Sequence, residues 1–286
     1  MSEPRKVVDV IDPMAVIEGA GVRLRRSIAT SRLDYADPFL LFDHFGSDDP
    51  SDYLAGFPMH PHRGIETVTY MLAGRVAHKD SLGNAGTIGP GDVQWMTAGS
   101  GIMHEEMPQA GEERLDGFQV WVNLPAKLKM TRPRYQDVRS ASIPVVSRED
   151  GVRIRVIAGE ADGVPGAVTE IFAEPTYLDL SLPAGRSFEQ PVPRGHTAIA
   201  YVFEGEAALG AAAGAGGTLI AATRLVVFGD GDVVRIETAG APARLLLLSA
   251  RPLGEPVARY GPFVMNTREE IQQALRELAE GTFVKR

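Results

Sequence analysis

The chain has 286 residues, enough for two domains, and its 44% hydrophobic and 23% charged residues are ordinary for a globular protein. A formal net charge of -8 argues against a nucleic-acid face, which needs a basic surface, and the absence of cysteine excludes disulfides, iron–sulfur clusters and thiol catalysis. No apolar run has the form of a signal peptide or approaches the roughly 18 residues of a membrane span, so no membrane association and a cytoplasmic location are expected. From the amino end the chain reads as short β-branched or aromatic runs between turns rich in its 31 glycines and 20 prolines, the pattern of an all-β sandwich or barrel. Val7 to Val16 reads as an edge strand containing Pro13, and Gly19 to Ile28 alternates apolar and basic residues. Asp37 to Phe45 reads as a buried strand, and Ser47 to Ala55 as an acidic loop. Thr67 to Ala73 and Arg75 to Asp80 are strands about Gly74, Gly83 to Gly86 is a hairpin tip, and Val93 to Met96 precedes a small-residue turn, Thr97 to Gly101. Phe118 to Leu124 closes the first half.

Chemistry concentrates between Phe57 and Pro108. Three of the six histidines fall there in two short motifs, His60-Pro61-His62 and His104-Glu105-Glu106. Side chains two apart on a strand share a face, so His60 projects with His62 and His104 with Glu106. If the two strands are neighbours, three imidazoles and a carboxylate converge, a set of N and O donors suited to one divalent transition metal. A lone His-x-His is more often a pair of surface histidines, but two motifs of matching parity point to a site. His44 and His78 are read as non-ligands, one satisfied near the core and one exposed on a strand. Trp95, Trp121 and Tyr70 are read as packing residues, and Phe45, Phe57, Met59, Met71 and Met103 as the lining of a flat apolar pocket.

Residues 126–150 are charged and proline-containing and read as the join, giving domains at 1–135 and 136–286. Beyond it the first half is echoed. Tyr70-Met71-Leu72-Ala73-Gly74 matches Tyr201-Val202-Phe203-Glu204-Gly205, Gly91-Asp92-Val93 matches Gly231-Asp232-Val233, and Phe118 to Pro125 matches Leu245 to Pro252. The same spacing puts Pro191 and Pro193 where His60 and His62 stand, and the counterpart of His104 near Leu245. A duplicated barrel module with one metal site per chain is therefore expected, the second copy having lost its ligands. Gly210 to Gly217 is read as a hairpin loop. Thr267-Arg268-Glu269-Glu270 is a capping box, and Ile271, Leu275 and Leu278 follow at helical spacing, predicting an amphipathic helix over 267–280 stopped by Gly281.

The runs HPHRGIETVTYMLAG (60–74), GPGDVQWMTAGSGIMHEEMP (89–108) and YGPFVMNTREEI (260–271), with DPFLLFDHF (37–45) before them, resemble the pirin family of the cupin superfamily over essentially the whole chain. The resemblance implies two tandem jelly-roll (cupin) barrels with a short C-terminal helix and an iron site in the first barrel, held by His60, His62, His104 and Glu106. It also implies quercetin 2,3-dioxygenase activity, with a flavonol and O2 as partners. The wider cupin pattern makes Glu66 the carboxylate ligand instead. Gly64 can bend the strand between His62 and Glu66, whereas Glu106 needs no such argument, so Glu106 is preferred, also as general base, and Glu66 is placed behind the ligands, orienting an imidazole. Ligand type alone admits iron, nickel, manganese, copper, zinc or cobalt. The alternative function is a non-enzymatic, iron-binding redox sensor acting through a regulatory protein partner. A cupin isomerase is a weaker third, wanting polar pocket residues that no stretch concentrates.

Overall fold

The computed structural model describes residues 2–111, 114–210 and 217–285, whose regular secondary structure is β-strand apart from short 3-10 turns and one helix, Arg268–Ala279. Two compact units result. Unit N comprises Met14–Ser140 with Leu253–Arg286, and unit C comprises Met1–Pro13 with Ala141–Pro252. This grouping differs from a single cut after residue 135, because each terminus joins the unit distant from it in sequence. The expected strand Val7 to Val16 is two strands, Val7–Ile11 and Met14–Glu18. Proline has no N–H for a ladder, and the break falls at Pro13. Val7–Ile11 pairs with Arg224–Phe228 and packs Val7 and Val10 on the core of unit C. The closing helix belongs to unit N, where Ile271 and Ala274 share an apolar cluster with Phe263, Met265 and Phe283.

Within each unit a seven-strand path has the same order. In unit N it runs Arg134–Val138, Val93–Thr97, Ile65–Ala73, Leu115–Asn123, Phe39–Ser47, Val22–Ile28, Met14–Glu18. In unit C it runs Val7–Ile11, Arg224–Phe228, Thr197–Leu209, Ala243–Ala250, Thr176–Leu182, Arg153–Ala158, Val145–Ser147. Further strands repeat as well. In unit N, Phe57–His62 pairs Ile102–Pro108, which pairs Val76–Asp80 and then Ala85–Ile88; in unit C, Ser187–Pro191 pairs Val233–Glu237, which meets the end of Thr197–Leu209 and then Thr218–Ala221. The duplication thus holds strand for strand in space, although Arg134–Val138 follows the other six strands of its path in sequence while Val7–Ile11 precedes the other six of its own. The turns need correcting: Gly91-Asp92 leads into Val93–Thr97, the counterpart of Arg224–Phe228, so Gly91-Asp92-Val93 does not answer to Gly231-Asp232-Val233. Gly231-Asp232 leads into the counterpart of Ile102–Pro108, so the position answering to His104 lies in Val233–Glu237 and not near Leu245.

Alternation sets the faces. In Val22–Ile28, Val22 and Leu24 are buried while Arg23 and Arg25 are exposed. Each such aliphatic side chain contributes roughly 1.5–3 kcal/mol when fully buried. The helix begins as its sequence predicts: Glu270 N–H donates to Thr267 Oγ1 at 3.2 Å, and Thr267 N–H donates to Glu270 Oε2 at 2.9 Å. Gly281, at φ 72°, follows its end. Most of the expected loop at Gly210 to Gly217, residues 211–216, lies outside the described residues. Among the described residues no helix is long and apolar enough to cross a membrane.

Candidate metal centre

The site is built where Phe57–His62 runs antiparallel to Ile102–Pro108, with His60 opposite His104 and His62 opposite Ile102. Directly opposed residues project to the same side of a sheet, which brings the two motifs together. The register shifts between His104 and Glu106, opposite Phe57 to His60, and such bulges re-aim side chains. The three imidazoles converge: their ring centroids lie 4.4–5.0 Å apart, and one donor atom from each lies within 4.8 Å of the others. His60 Nε2 stands 3.0 Å from His62 Nε2. His60 Nδ1 donates to the Pro58 carbonyl at 2.9 Å, and since that carbonyl can only accept, Nε2 keeps its lone pair for the site.

This cluster has the chemistry of a metal site. Both ring nitrogens of His104 and Nδ1 of His62 are buried without a hydrogen-bond partner. An unsatisfied buried polar group costs about 1–3 kcal/mol, and a coordinated cation would relieve several at once. Burial, and then the neighbouring imidazoles, hold His62 and His104 well below the usual histidine range. They are therefore neutral, the form that ligates. The residues fit a cation bound by imidazole nitrogen.

Glu106 is not part of this tight group, but it lines the same cavity wall as His60 and His62. Its neighbour on the exposed side, Glu105, pairs instead with Lys79 at 2.9 Å. Burial pushes the Glu106 carboxyl up, against the pull of His60 and a hydrogen bond from Thr69. Thr69 Oγ1 lies 3.1 Å from Glu106 Oε1 and 2.7 Å from Gln119 Oε1.

Glu66 is placed differently from expectation. Its strand pairs without a bulge from Glu66 to Tyr70, so Glu66 and Thr69 face opposite sides. Thr69 faces the cavity, while Glu66 accepts from Thr97 Oγ1 at 2.7 Å on the other face, where burial pushes its carboxyl up to about 6. It orients no imidazole of the cluster. His78 is corrected too: it is buried, not exposed, opposite Glu106 in the ladder, with its ring stacked on Tyr135 at 5.9 Å.

A cavity of about 540 Å³ in unit N has His60, His62, Thr69 and Glu106 on its wall. Phe45 and Phe57 line it as expected. Met71 lies in the adjoining core, Met59 is exposed, and Met103 packs with the closing helix. Trp121, expected only to pack, lines the cavity and meets the His62 ring edge-on at 5.1 Å. The alternation of Phe118 to Leu124 carried that signal, since it puts Gln119 and Trp121 together on one face. The cavity also has a charged wall that sequence reasoning missed. Arg26 donates to both oxygens of Asp43, at 2.8 and 2.7 Å, and to Glu18 at 2.6 Å, while Arg259 stacks on Trp121 at 5.4 Å. Burial outweighs the Arg26 bonds and pushes the Asp43 carboxyl up to about 6.

Known proteins share this plan. The family described as Pirin matches residues 21–122, and that described as Pirin C-terminal cupin domain matches residues 177–284. A pirin-like protein of Caulobacter vibrioides is 48% identical over 280 residues, covering 98% of this chain and 99% of its own. A solved quercetin 2,3-dioxygenase from Acinetobacter baumannii is 35% identical, with a TM-score of 0.88 over 98% of each chain. A bacterial pirin from Escherichia coli, solved in complex with nickel(II), is 20% identical with a TM-score of 0.66 over 88% of this chain and 100% of its own, a likeness of fold alone. The two units are cupin-type barrels, and the chain belongs to the pirin family.

Proposed function

We propose that this protein is a metal-dependent dioxygenase that cleaves a flavonol such as quercetin with O2, opening the heterocycle and releasing carbon monoxide. The observation that carries the proposal is a 540 Å³ cavity whose wall presents His60, His62 and a buried carboxylate, Glu106. A sensor acting only through a protein partner has no need of such a cavity. His60, His62 and His104 would hold the ion, with Glu106 as the carboxylate of the set. Iron is our choice, although imidazole and carboxylate also suit nickel and other divalent ions.

When bound, the cation supplies positive charge beside the flavonol 3-hydroxyl, lowering its pKa, and a route for electrons to O2. The chain supplies the rest. Glu106 takes the hydroxyl proton as general base on Oε1, the oxygen that lies 3.1 Å from Thr69 Oγ1. The neutral carboxyl then donates to Thr69 Oγ1, whose own proton turns to Gln119 Oε1 at 2.7 Å. Phe45 and Trp121 bound the flat ligand and keep water from the flavonolate. Metal analysis of freshly purified protein, with O2 uptake and carbon monoxide release measured on a flavonol panel, tests this reading. Metal-loaded protein that turns over no flavonol, or metal-free protein that consumes O2 with quercetin equally fast, overturns it.

A further inference from the structure

We infer that the carboxyl-terminal tail is a working part of the metal centre's support, and that Arg63 is the positioning residue through which it acts. The inference rests on the metal-binding reading above. Arg63 directly follows His62, and its side chain is 1% exposed. Its Nε donates to the Ser100 carbonyl at 2.7 Å, and its Nη2 to Glu277 Oε2 at 2.6 Å and to the Phe283 carbonyl at 3.2 Å. The guanidinium also lies 4.4 Å over the Phe283 ring. One buried cation therefore ties together the end of the strand carrying His60 and His62, the turn that leads into the strand carrying His104, and a tail more than 200 residues distant in sequence.

The backbone repeats the arrangement. Val264 N–H donates to the Arg63 carbonyl at 3.1 Å, and Lys129 Nζ donates to the carbonyls of both Gly64 and Val264 at 2.9 Å. Gly64, at φ +80°, leaves no room for a side chain, since a Cβ there would lie 2.0 Å from the Val264 oxygen. Pro262, from the same tail, lines the cavity together with His62. His62 is one residue from this clamp and His104 four residues from Ser100. A shift at Arg63 is transmitted along two rigid, hydrogen-bonded strands straight to the ligand nitrogens. Groups that orient metal ligands typically govern metal affinity by about 10- to 100-fold.

The test uses the full chain and Co2+ as the probe, reading affinity by titration and ligand geometry from the visible absorption bands. Arg63→Met is expected to weaken Co2+ binding about 10- to 100-fold and to shift the bands. Glu277→Gln should move both in the same direction by less, and Arg63→Lys should recover part of the loss. Thr267→Ala, which weakens the helix cap away from Arg63, should lower Tm and leave the bands unchanged. Coupling is reciprocal, so Co2+ should slow hydrogen exchange at the Val264 amide in the wild type. Wild-type affinity and bands in both Arg63→Met and Glu277→Gln overturn the inference, and Glu277→Gln decides alone if Arg63→Met fails to fold. A wild-type protein that binds no Co2+ overturns the metal reading and this inference with it; normal wild-type binding with unaltered variants overturns this inference only.

Discussion

In unit N the strand Phe57–His62 faces Ile102–Pro108 with His60 opposite His104; in unit C the strand Ser187–Pro191 faces Val233–Glu237 with Phe188 opposite Ile236. The buried positions of the second pair are Phe188, Gln190, Val233, Val234 and Ile236, and all but Gln190 and Val233 belong to the unit's apolar cluster. Gln190 donates to the Glu160 carbonyl at 2.9 Å, so its polar end is satisfied within the unit. The same pair of strands closes a core in one unit and opens a cavity in the other. Unit N carries imidazole nitrogens without partners, at a cost in stability, where unit C packs hydrocarbon. A shared strand order thus says where a site can be, and the inward side chains say whether it exists.

The sharpest way to break this comparison is His104→Ala, expected to abolish both bound metal and flavonol-dependent O2 uptake; retained metal at wild-type content would show that unit N's inward face is not the site. Glu106→Gln should follow, slowing turnover by about 10²- to 10⁴-fold as expected for loss of a general base, measured as kcat on quercetin with metal content recorded in parallel. Phe188→Ala probes the same place in unit C. It should destabilise the protein by about 3–5 kcal/mol in denaturant unfolding while the metal content per folded chain stays at the wild-type value. Glu66→Gln should leave metal content unchanged because its side chain faces Thr97, and a loss of metal there would restore the orienting role that strand parity denies it. The smallest effect concerns pH. Although burial pushes Glu277 up, Lys285, Gln273 and Arg63 together hold its carboxyl at about 2, below its ordinary value of 4.5. A depressed carboxylate contributes stability that is present above its unfolded pKa and lost as the pH falls through the folded one. Stability should therefore drop between about pH 4.5 and pH 2, and this part of the drop should vanish in Glu277→Gln.

Much of this was legible in advance where the controlling interactions are local. The capping box at Thr267 and Glu270 involves residues three apart, and the His-x-His and His-x-Glu parities follow from one strand's pleat. Of the matched turns, Gly74 and Gly205 hold, at φ 74° and 69° in equivalent places, whereas Gly91-Asp92 and Gly231-Asp232 lead into different strands of the two units. Counting back from Tyr201 to locate the lost ligands failed, because it assumed equal connections. The turn between Phe57–His62 and Ile65–Ala73 has two residues, while that between Ser187–Pro191 and Thr197–Leu209 has five. The inward counterparts are consequently Phe188 and Gln190, not Pro191 and Pro193.

The charged wall of the cavity could not be seen in any stretch of sequence, since Glu18, Arg26, Asp43 and Arg259 come from separate strands and meet only when the sheet and the tail assemble. By itself the sequence determined the β architecture, its duplication and which two motifs carry imidazoles, since each depends on spacing along one or two strands. Only the tertiary structure decided that Glu66 turns away, that His78 is buried, that the chain's ends change units and that Arg63 grips the tail. Those outcomes depend on register, connection length and long-range burial, which strand-by-strand spacing does not encode.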